Sequence, residues 1–284
     1  MFELAVFADD IDQDLDHALD VIEEFGLTWI EIRSAWGKNL LFQTDEELQK
    51  TLDTIHQRGL KVASVSAPIF KSHLPGHSEA EVGELFNSEE RDAPEQQMDL
   101  IRRSGTIARQ LDTNLVRCFS FWRLGDDPSP YWQEMLDLYR MAVEVAAEED
   151  IVLVMENDFG CNLGSGEISS KMIAEVDSPH LRLLWDCGNA FFVGEEAYPH
   201  GYEISKPYIG HVHVKDAVID EKTGEPRWVE LGSGEVDMLG QLKALKQDYH
   251  GVVSLENHWK PPGGNREAGV RRSFAALTDL IAQI

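Results

Sequence analysis

A barrel of eight parallel strands, each followed by a helix, is the fold that this sequence of 284 residues predicts. Three observations predict it. Runs of β-forming residues alternate with stretches of helical periodicity along the whole chain. The alternation repeats roughly every 30 to 35 residues without a helical-repeat signature. Four consecutive β-runs, VLVMEND, LRLLWDCGNA, GHVHVKD and GVVSLENH, each rise to a metal-capable side chain near their end: Glu156, Asp186, His213 and Glu256. These are 30, 27 and 43 positions apart, one strand-plus-helix unit per step with an insertion in the last.

The length fits one such barrel, and no Gly/Ser-rich or Pro-rich linker divides it, so residues 1–284 are expected to form a single domain. Hydrophobic residues make up 43%, enough to fill its core. The formal charge of −26 repels phosphate backbones and anionic membranes, which argues against nucleic acid or a membrane as partner. No apolar run approaches the ~20 residues that span a bilayer. The start, MFELAVFADDIDQD, turns acidic at once and reads as a strand rather than a signal peptide. Cys118, Cys161 and Cys187 lack paired spacing, so neither a disulfide framework nor a zinc knuckle is indicated, and a cytoplasmic location is expected.

Taken in order, residues 2–8 read as the first strand and 9–26 as a helix, with Leu15, Leu19, Ile22 and Phe25 at helical spacing and Gly26 at its end. Strand two covers 28–37. Helix two covers 44–59, with Thr44 as N-cap and Glu47 as its capping-box partner. Strand three is 60–71, and the polar segment 72–92 is expected to be a loop over the barrel mouth. A helix at 94–112, strand four at 114–122, a helix at 131–150 and strand five at 151–157 follow. The Gly-rich loop 158–166 leads to a helix around 169–176 and strand six at 181–186. A short helix near 204–208 precedes strand seven at 209–216. Residues 217–236 carry Lys222-Thr223-Gly224 between two β-like runs and predict a hairpin inserted after strand seven. Helix seven at 237–248, strand eight at 251–257 and helix eight at 265–283 complete the set.

A carboxylate at the end of a wholly apolar strand must be paired, protonated or bound to a metal, because an isolated buried charge costs several kcal/mol or more. Glu156 alone is equally well an acid that caps the next helix, and Asp186 an acid of a tight turn. The set of four is what points to a metal, since two carboxylates, an imidazole and a third carboxylate suit manganese, cobalt, magnesium or zinc. His211, two residues before His213, points to the same face, and Lys215 extends the row. Glu31 and Arg33 share a facing on strand two and are expected to form an inward pair. Arg33, Lys71, Arg117 and Arg123 are cations that could meet an anionic substrate group. Trp36, Phe70, Trp122 and Phe192 fall in loops after strands, where aromatic faces stack on sugar rings.

The pieces HVHVKD, WDCGNA, VELGSGEVD and VSLEN give the chain a specific likeness. It resembles the sugar isomerase/epimerase superfamily of xylose isomerase-like TIM barrels, which also holds inosose dehydratase and endonuclease IV branches. The resemblance implies that Glu156, Asp186, His213 and Glu256 are the metal ligands and that the two glutamates form an acid/base pair. It implies one divalent ion, manganese ahead of cobalt, magnesium or zinc, a small carbohydrate substrate, and a homodimer or homotetramer. Substrate contacts are expected from His211, Lys215, Asn189, Trp36 and Trp122. Asn189 stands where many epimerases of this group carry a histidine, and Lys215 matches the dehydratase branch better.

Three functions are expected in order. The first is a metal-dependent isomerase or epimerase of a small sugar, working through an enediolate. The second is a lyase that eliminates water or an aglycone from a keto-sugar, keto-glycoside or keto-inositol. A phosphodiesterase like endonuclease IV comes last, because it needs further His and Asp ligands for a multi-metal cluster.

Overall fold

The computed structural model of the chain describes residues 2–77 and 92–284. Eight strands form its main sheet: β1 (Glu3–Val6), β2 (Trp29–Ile32), β3 (Lys61–Ile69), β4 (Leu115–Cys118), β5 (Val152–Glu156), β6 (Leu181–Asp186), β7 (Ile209–Val214) and β8 (Val252–Leu255). They lie in the order β1-β8-β7-β6-β5-β4-β3-β2, every neighbouring pair parallel. Phe7 and Glu31 form a parallel bridge that brings β1 back to β2 and closes the barrel. Leu153, Val154 and Met155 of β5 are all fully buried. Such strands are covered by the barrel interior on one side and helices on the other, which is why they read as continuous apolar runs.

Seven helices of ten residues or more wrap the described barrel: α1 (Leu15–Glu24), α2 (Asp45–Gln57), α3 (Pro94–Gln110), α4 (Trp132–Glu148), α5 (Gly166–Val176), α6 (Met238–Asp248) and α7 (Arg266–Ile281). Between β6 and β7 the crossing carries the expected short helix rather than a long one. There the chain crosses in short pieces, Cys187–Phe192, Ala197–Gly201, Tyr202–Ser205 and Lys206–Tyr208. Gly194, Pro199, Gly201 and Pro207 interrupt any longer helix.

Local chemistry sets the helix starts. Thr44 and Glu47 form the expected capping box on α2. The single helix expected at 9–26 is instead a short turn, Ala8–Ile11, and then α1, because Asp14 accepts the Asp16 N–H at 3.1 Å as an N-cap. After β7, Asp216–Ile219 pairs antiparallel with Pro226–Val229 as the expected hairpin. A smaller hairpin, Ser34–Ala35 with Lys38–Asn39, turns at Trp36 and Gly37, both at positive φ. Most of the expected loop at 72–92 lies outside the described residues. Cys118, Cys161 and Cys187 are buried free thiols. No helix among the described residues is long and apolar enough to cross a membrane.

Candidate metal centre

The C-terminal ends of β5 to β8 converge on one point. Glu156 closes β5, Asp186 closes β6, His213 is next to last in β7, and Glu256 follows β8. All four are at most 3% exposed, and one ligand atom from each lies within 4.8 Å of all the others. From His213 Nδ1, the distances are 3.9 Å to Glu156 Oε1, 3.9 Å to Asp186 Oδ2 and 3.7 Å to Glu256 Oε2. That nitrogen has no hydrogen-bond partner although it is buried. An unpartnered imidazole nitrogen aimed at three carboxylate oxygens is a donor set that fits a divalent cation.

A hydrogen-bonded layer beneath fixes these side chains. Glu31 of β2, fully buried, accepts the Ser66 hydroxyl at 2.6 Å and faces His211 Nε2 at 2.8 Å and His213 Nε2 at 3.2 Å. With Nε2 committed to a carboxylate, His213 presents Nδ1 to the centre. Glu31, His211 and His213 also lie close enough to hold an ion by themselves, but those ring nitrogens already serve Glu31. Asn157 clamps β5 to β6, accepting the Asp186 N–H at 2.8 Å and donating to the Asp186 carbonyl at 2.9 Å. Asn189 donates its side-chain amide to Glu156 Oε1 at 3.0 Å and its backbone N–H to Asp186 Oδ1 at 2.9 Å. Gly188 permits this turn: a Cβ there would stand 2.6 Å from Lys215 Cγ.

Cations surround the carboxylates. Lys215 Nζ lies 2.5 Å from Glu256 Oε2, 2.9 Å from Asp186 Oδ2 and 3.9 Å from Glu156 Oε1. Arg33 reaches Glu256 Oε1 at 3.0 Å while Asp9 and Asp10 hold its other nitrogens. Arg117 reaches Glu156 Oε2 at 3.2 Å.

Burial favours the neutral form of each acid, and the neighbours decide the balance. For Glu156, burial and the nearby Glu256 charge are outweighed by His213, Arg117 and Lys215, which hold it at about 2. For Asp186, burial prevails over the attraction of Lys215 and pushes it up to about 6. Three carboxyls this close titrate as one group, so the common result is that two stay ionised while the third is driven upward. Burial opposes charge on His213, but Glu31 below and Glu156 beside it raise it to about 10. Against the same burial, Asp186 and Glu256 raise Lys215 and keep it an ammonium.

The other expected site residues have partners of their own. His211 does not reach the mouth. It is fully buried, with Nε2 on Glu31 and 3.3 Å from Ser254 Oγ. Two residues along a strand keep the same facing but sit about 6.6 Å lower, which puts His211 one layer below His213. Glu31 and Arg33 both point inward but are not a pair, since Glu31 serves the histidines and Arg33 serves Asp9, Asp10 and Glu256. Trp36 packs under the Lys50 ammonium, 3.8 Å from its ring centre. Trp122 is 3% exposed and bridges to Cys161, with Lys71 5.1 Å from its ring. Lys71 pairs with Asp158 at 2.6 Å, and Arg123 donates Nε to the Cys161 carbonyl at 3.3 Å.

Phe192 does lie by the centre, stacked at 3.8 Å on Trp228 of the hairpin. The Trp228 ring lies 5.1 Å from Lys215 Nζ and 5.1 Å from the His258 ring, and Phe159 leans on Phe192 at 4.8 Å. From the sequence Glu31 is expected only as an inward partner of Arg33, not as a support for the histidines, and neither Asn157 as clamp nor Trp228 over Lys215 is singled out. An acid inside the apolar strand Trp29–Ile32 is the signal that could have flagged Glu31.

The sequence profile of the xylose isomerase-like TIM barrel family matches residues 19–280. The chain belongs to that family. An inosose dehydratase of Geobacillus thermodenitrificans (strain NG80-2) is 24% identical over 170 residues, 57% of this chain and 53% of that protein. The match thus spans about half the length of this curated relative. The IOLI protein, solved with a bound zinc atom, shares the fold at a TM-score of 0.74 and 16% identity, over 99% of both chains. D-psicose 3-epimerase from Clostridium cellulolyticum H10, solved with D-tagatose, does so at a TM-score of 0.69 and 13% identity, over 99% of this chain and 98% of that one. At these identities the two structures establish a common fold. Proteins similar to this chain include both epimerases and dehydratases.

Proposed function

We propose that this protein is a divalent-metal-dependent isomerase or epimerase of a small sugar or keto-sugar, working through an enediolate. The observation that carries it is the convergence of Glu156, Asp186, His213 and Glu256 at four consecutive strand ends. Those four residues would hold one ion, with manganese our choice; the zinc of the IOLI protein supports a divalent metal on this fold. A bound ion supplies a Lewis acid for the carbonyl oxygen and for the negative charge of the enediolate.

The chain's own residues do the rest. Glu156 and Glu256 belong to strands three places apart in the barrel, so they approach a bound sugar from different sides. One takes the proton from the carbon beside the carbonyl, and the other returns a proton on the opposite face. Asn189 holds Glu156 Oε1 in place, Glu31 orients His213, and the Phe192–Trp228 stack keeps water from the centre.

Lys215 favours a second reading, a dehydratase. Its ammonium, 2.5 Å from Glu256 and 2.9 Å from Asp186, can protonate or hydrogen-bond a departing hydroxyl, and the inosose dehydratase relative supports this. The two readings share proton abstraction and differ in what leaves.

Proton NMR in D₂O of the manganese-reconstituted protein, with ketoses, keto-glycosides and inosose, tests both. Deuterium should enter a carbon next to the carbonyl with the wild type and not with Glu256→Gln, which should fold and bind metal. A new epimer identifies the isomerase and a new alkene the lyase. Exchange by Glu256→Gln within about fivefold of wild type would remove Glu256 from the acid/base role.

A further inference from the structure

Arg117 stands where the two glutamates turn their second oxygens. Glu156 Oε1 and Glu256 Oε2 face the centre, 3.9 and 3.7 Å from His213 Nδ1. Glu156 Oε2 and Glu256 Oε1 lie 3.2 and 3.7 Å from one and the same atom, Arg117 Nη1. The side chain comes from β4, is 3% exposed, donates Nη2 to the Ser66 carbonyl at 3.4 Å, and packs against the rings of Phe119 and Phe7. Its Nε has no hydrogen-bond partner. Burying a guanidinium with one donor unmatched is costly, and the two carboxylates are what offset it.

We infer that Arg117 is a positioning residue that keeps Glu156 a one-oxygen ligand and, together with Arg33 on Glu256 Oε1, holds the second oxygens of the two glutamates as a proton-transfer pair. This rests on the function proposed above. Without the guanidinium, Glu156 is free to turn its second oxygen onto a bound cation and become a two-oxygen ligand, whereas Glu256 Oε1 is still held by Arg33 Nη1 at 3.0 Å. With it, Glu156 keeps one oxygen off the ion.

The geometry also explains how one cation serves both half-reactions. When a second oxygen takes the substrate proton, the C–H electron pair stays on the substrate as the enediolate and that carboxyl becomes neutral. Its hold on Arg117 loosens, and the guanidinium charge remains with the glutamate that is still ionised. Lysine, a point charge without the second nitrogen that ties Arg117 to the Ser66 carbonyl, cannot be fixed in the same place between the two oxygens.

The test uses the full chain loaded with cobalt, as wild type, Arg117→Met and Arg117→Lys. Three readouts are taken: the visible cobalt spectrum, cobalt affinity by calorimetry, and exchange kinetics in D₂O. Arg117→Met should still bind cobalt, should change its spectrum as the ligand count rises, and should lose about 100-fold or more in kcat with little change in KM. Arg117→Lys should lie between the two in spectrum and in kcat, a graded rescue that a merely structural role would not give. An unchanged cobalt spectrum in Arg117→Met, or a kcat within about fivefold of wild type, overturns the inference. Should Arg117→Met fail to fold, Arg117→Lys is judged alone, and a wild-type spectrum or wild-type kcat overturns it. If the wild type exchanges no compound, the proposed function fails while the cobalt spectrum alone still decides for or against Arg117.

Discussion

Which nitrogen of His213 faces the candidate metal centre is set by a residue on the far side of the barrel. Glu31 lies 182 positions away in sequence and takes His213 Nε2 at 3.2 Å, with His211 Nε2 and the Ser66 hydroxyl as its other partners. Burial works against its charge, but His213 and His211 hold it well below the usual carboxylate range. Removing such a support typically weakens metal binding by about 10 to 100-fold. Glu31→Ala is therefore expected to lose that much manganese affinity by calorimetry, with Glu31→Gln losing less because its amide oxygen still accepts a hydrogen bond. Equal affinity in Glu31→Ala and wild type would mean that strand β7 alone orients the ring. The four strand-end residues were legible in sequence because each sits beside its own apolar run. Glu31 was visible only as a polar residue on β2, since nothing in its neighbourhood names a histidine so far along the chain.

At the scale of the element, the hairpin after β7 is tied down by one side chain. Asp216 accepts N–H groups from Ala217 and Val236 on one oxygen and from Gly232 and Gly234 on the other, at 2.8 to 3.3 Å. The GSG stretch is thus a cradle for an anion that the chain itself supplies. A Cβ on Gly234 would stand 2.1 Å from Asp216 Oδ1, so the close approach needs glycine there. Hydrogen bonds to charged groups contribute about 1.5–3 kcal/mol each, so Asp216→Ala should cost roughly 2 kcal/mol or more in a urea titration. Hydrogen exchange across 217–236 should speed up in the same variant, and Trp228 should lose its place over Lys215. Wild-type exchange there would show that strand pairing holds the hairpin unaided. The hairpin's position was legible from its turn residues, whereas its anchor was not, because Asp216 reaches loop residues 16 to 20 positions on.

At the scale of the molecule, three carboxylates within one buried cluster lead us to predict that a bound divalent cation stabilises the barrel. A ligand that binds only the folded chain stabilises it by about 2.7 kcal/mol at 100 times its Kd. For a chain of this size that is roughly 5 °C or more in Tm. Saturating manganese should produce such a rise in a thermal melt, and Asp186→Asn should abolish most of it. No shift with manganese, cobalt, magnesium, zinc or nickel would sink the metal centre. The fold itself followed from the strand–helix alternation, including the short helix before β7 in a crossing that glycines and prolines break into pieces.

The sequence by itself determined the barrel, the order of its strands and the four side chains that converge, because each depends on a run of neighbours: apolar stretches, caps and turn residues. Only the tertiary structure decided how those side chains are partnered. Closure of the barrel set Glu31 against the histidines of β7 and Arg33 against Asp9, Asp10 and Glu256. The layering of β7 put His211 below the centre, and the register of β4 against β5 brought Arg117 to both glutamates. Those pairings are fixed when the sheet closes on itself and sets residues more than a hundred positions apart side by side, which no local pattern in the chain encodes.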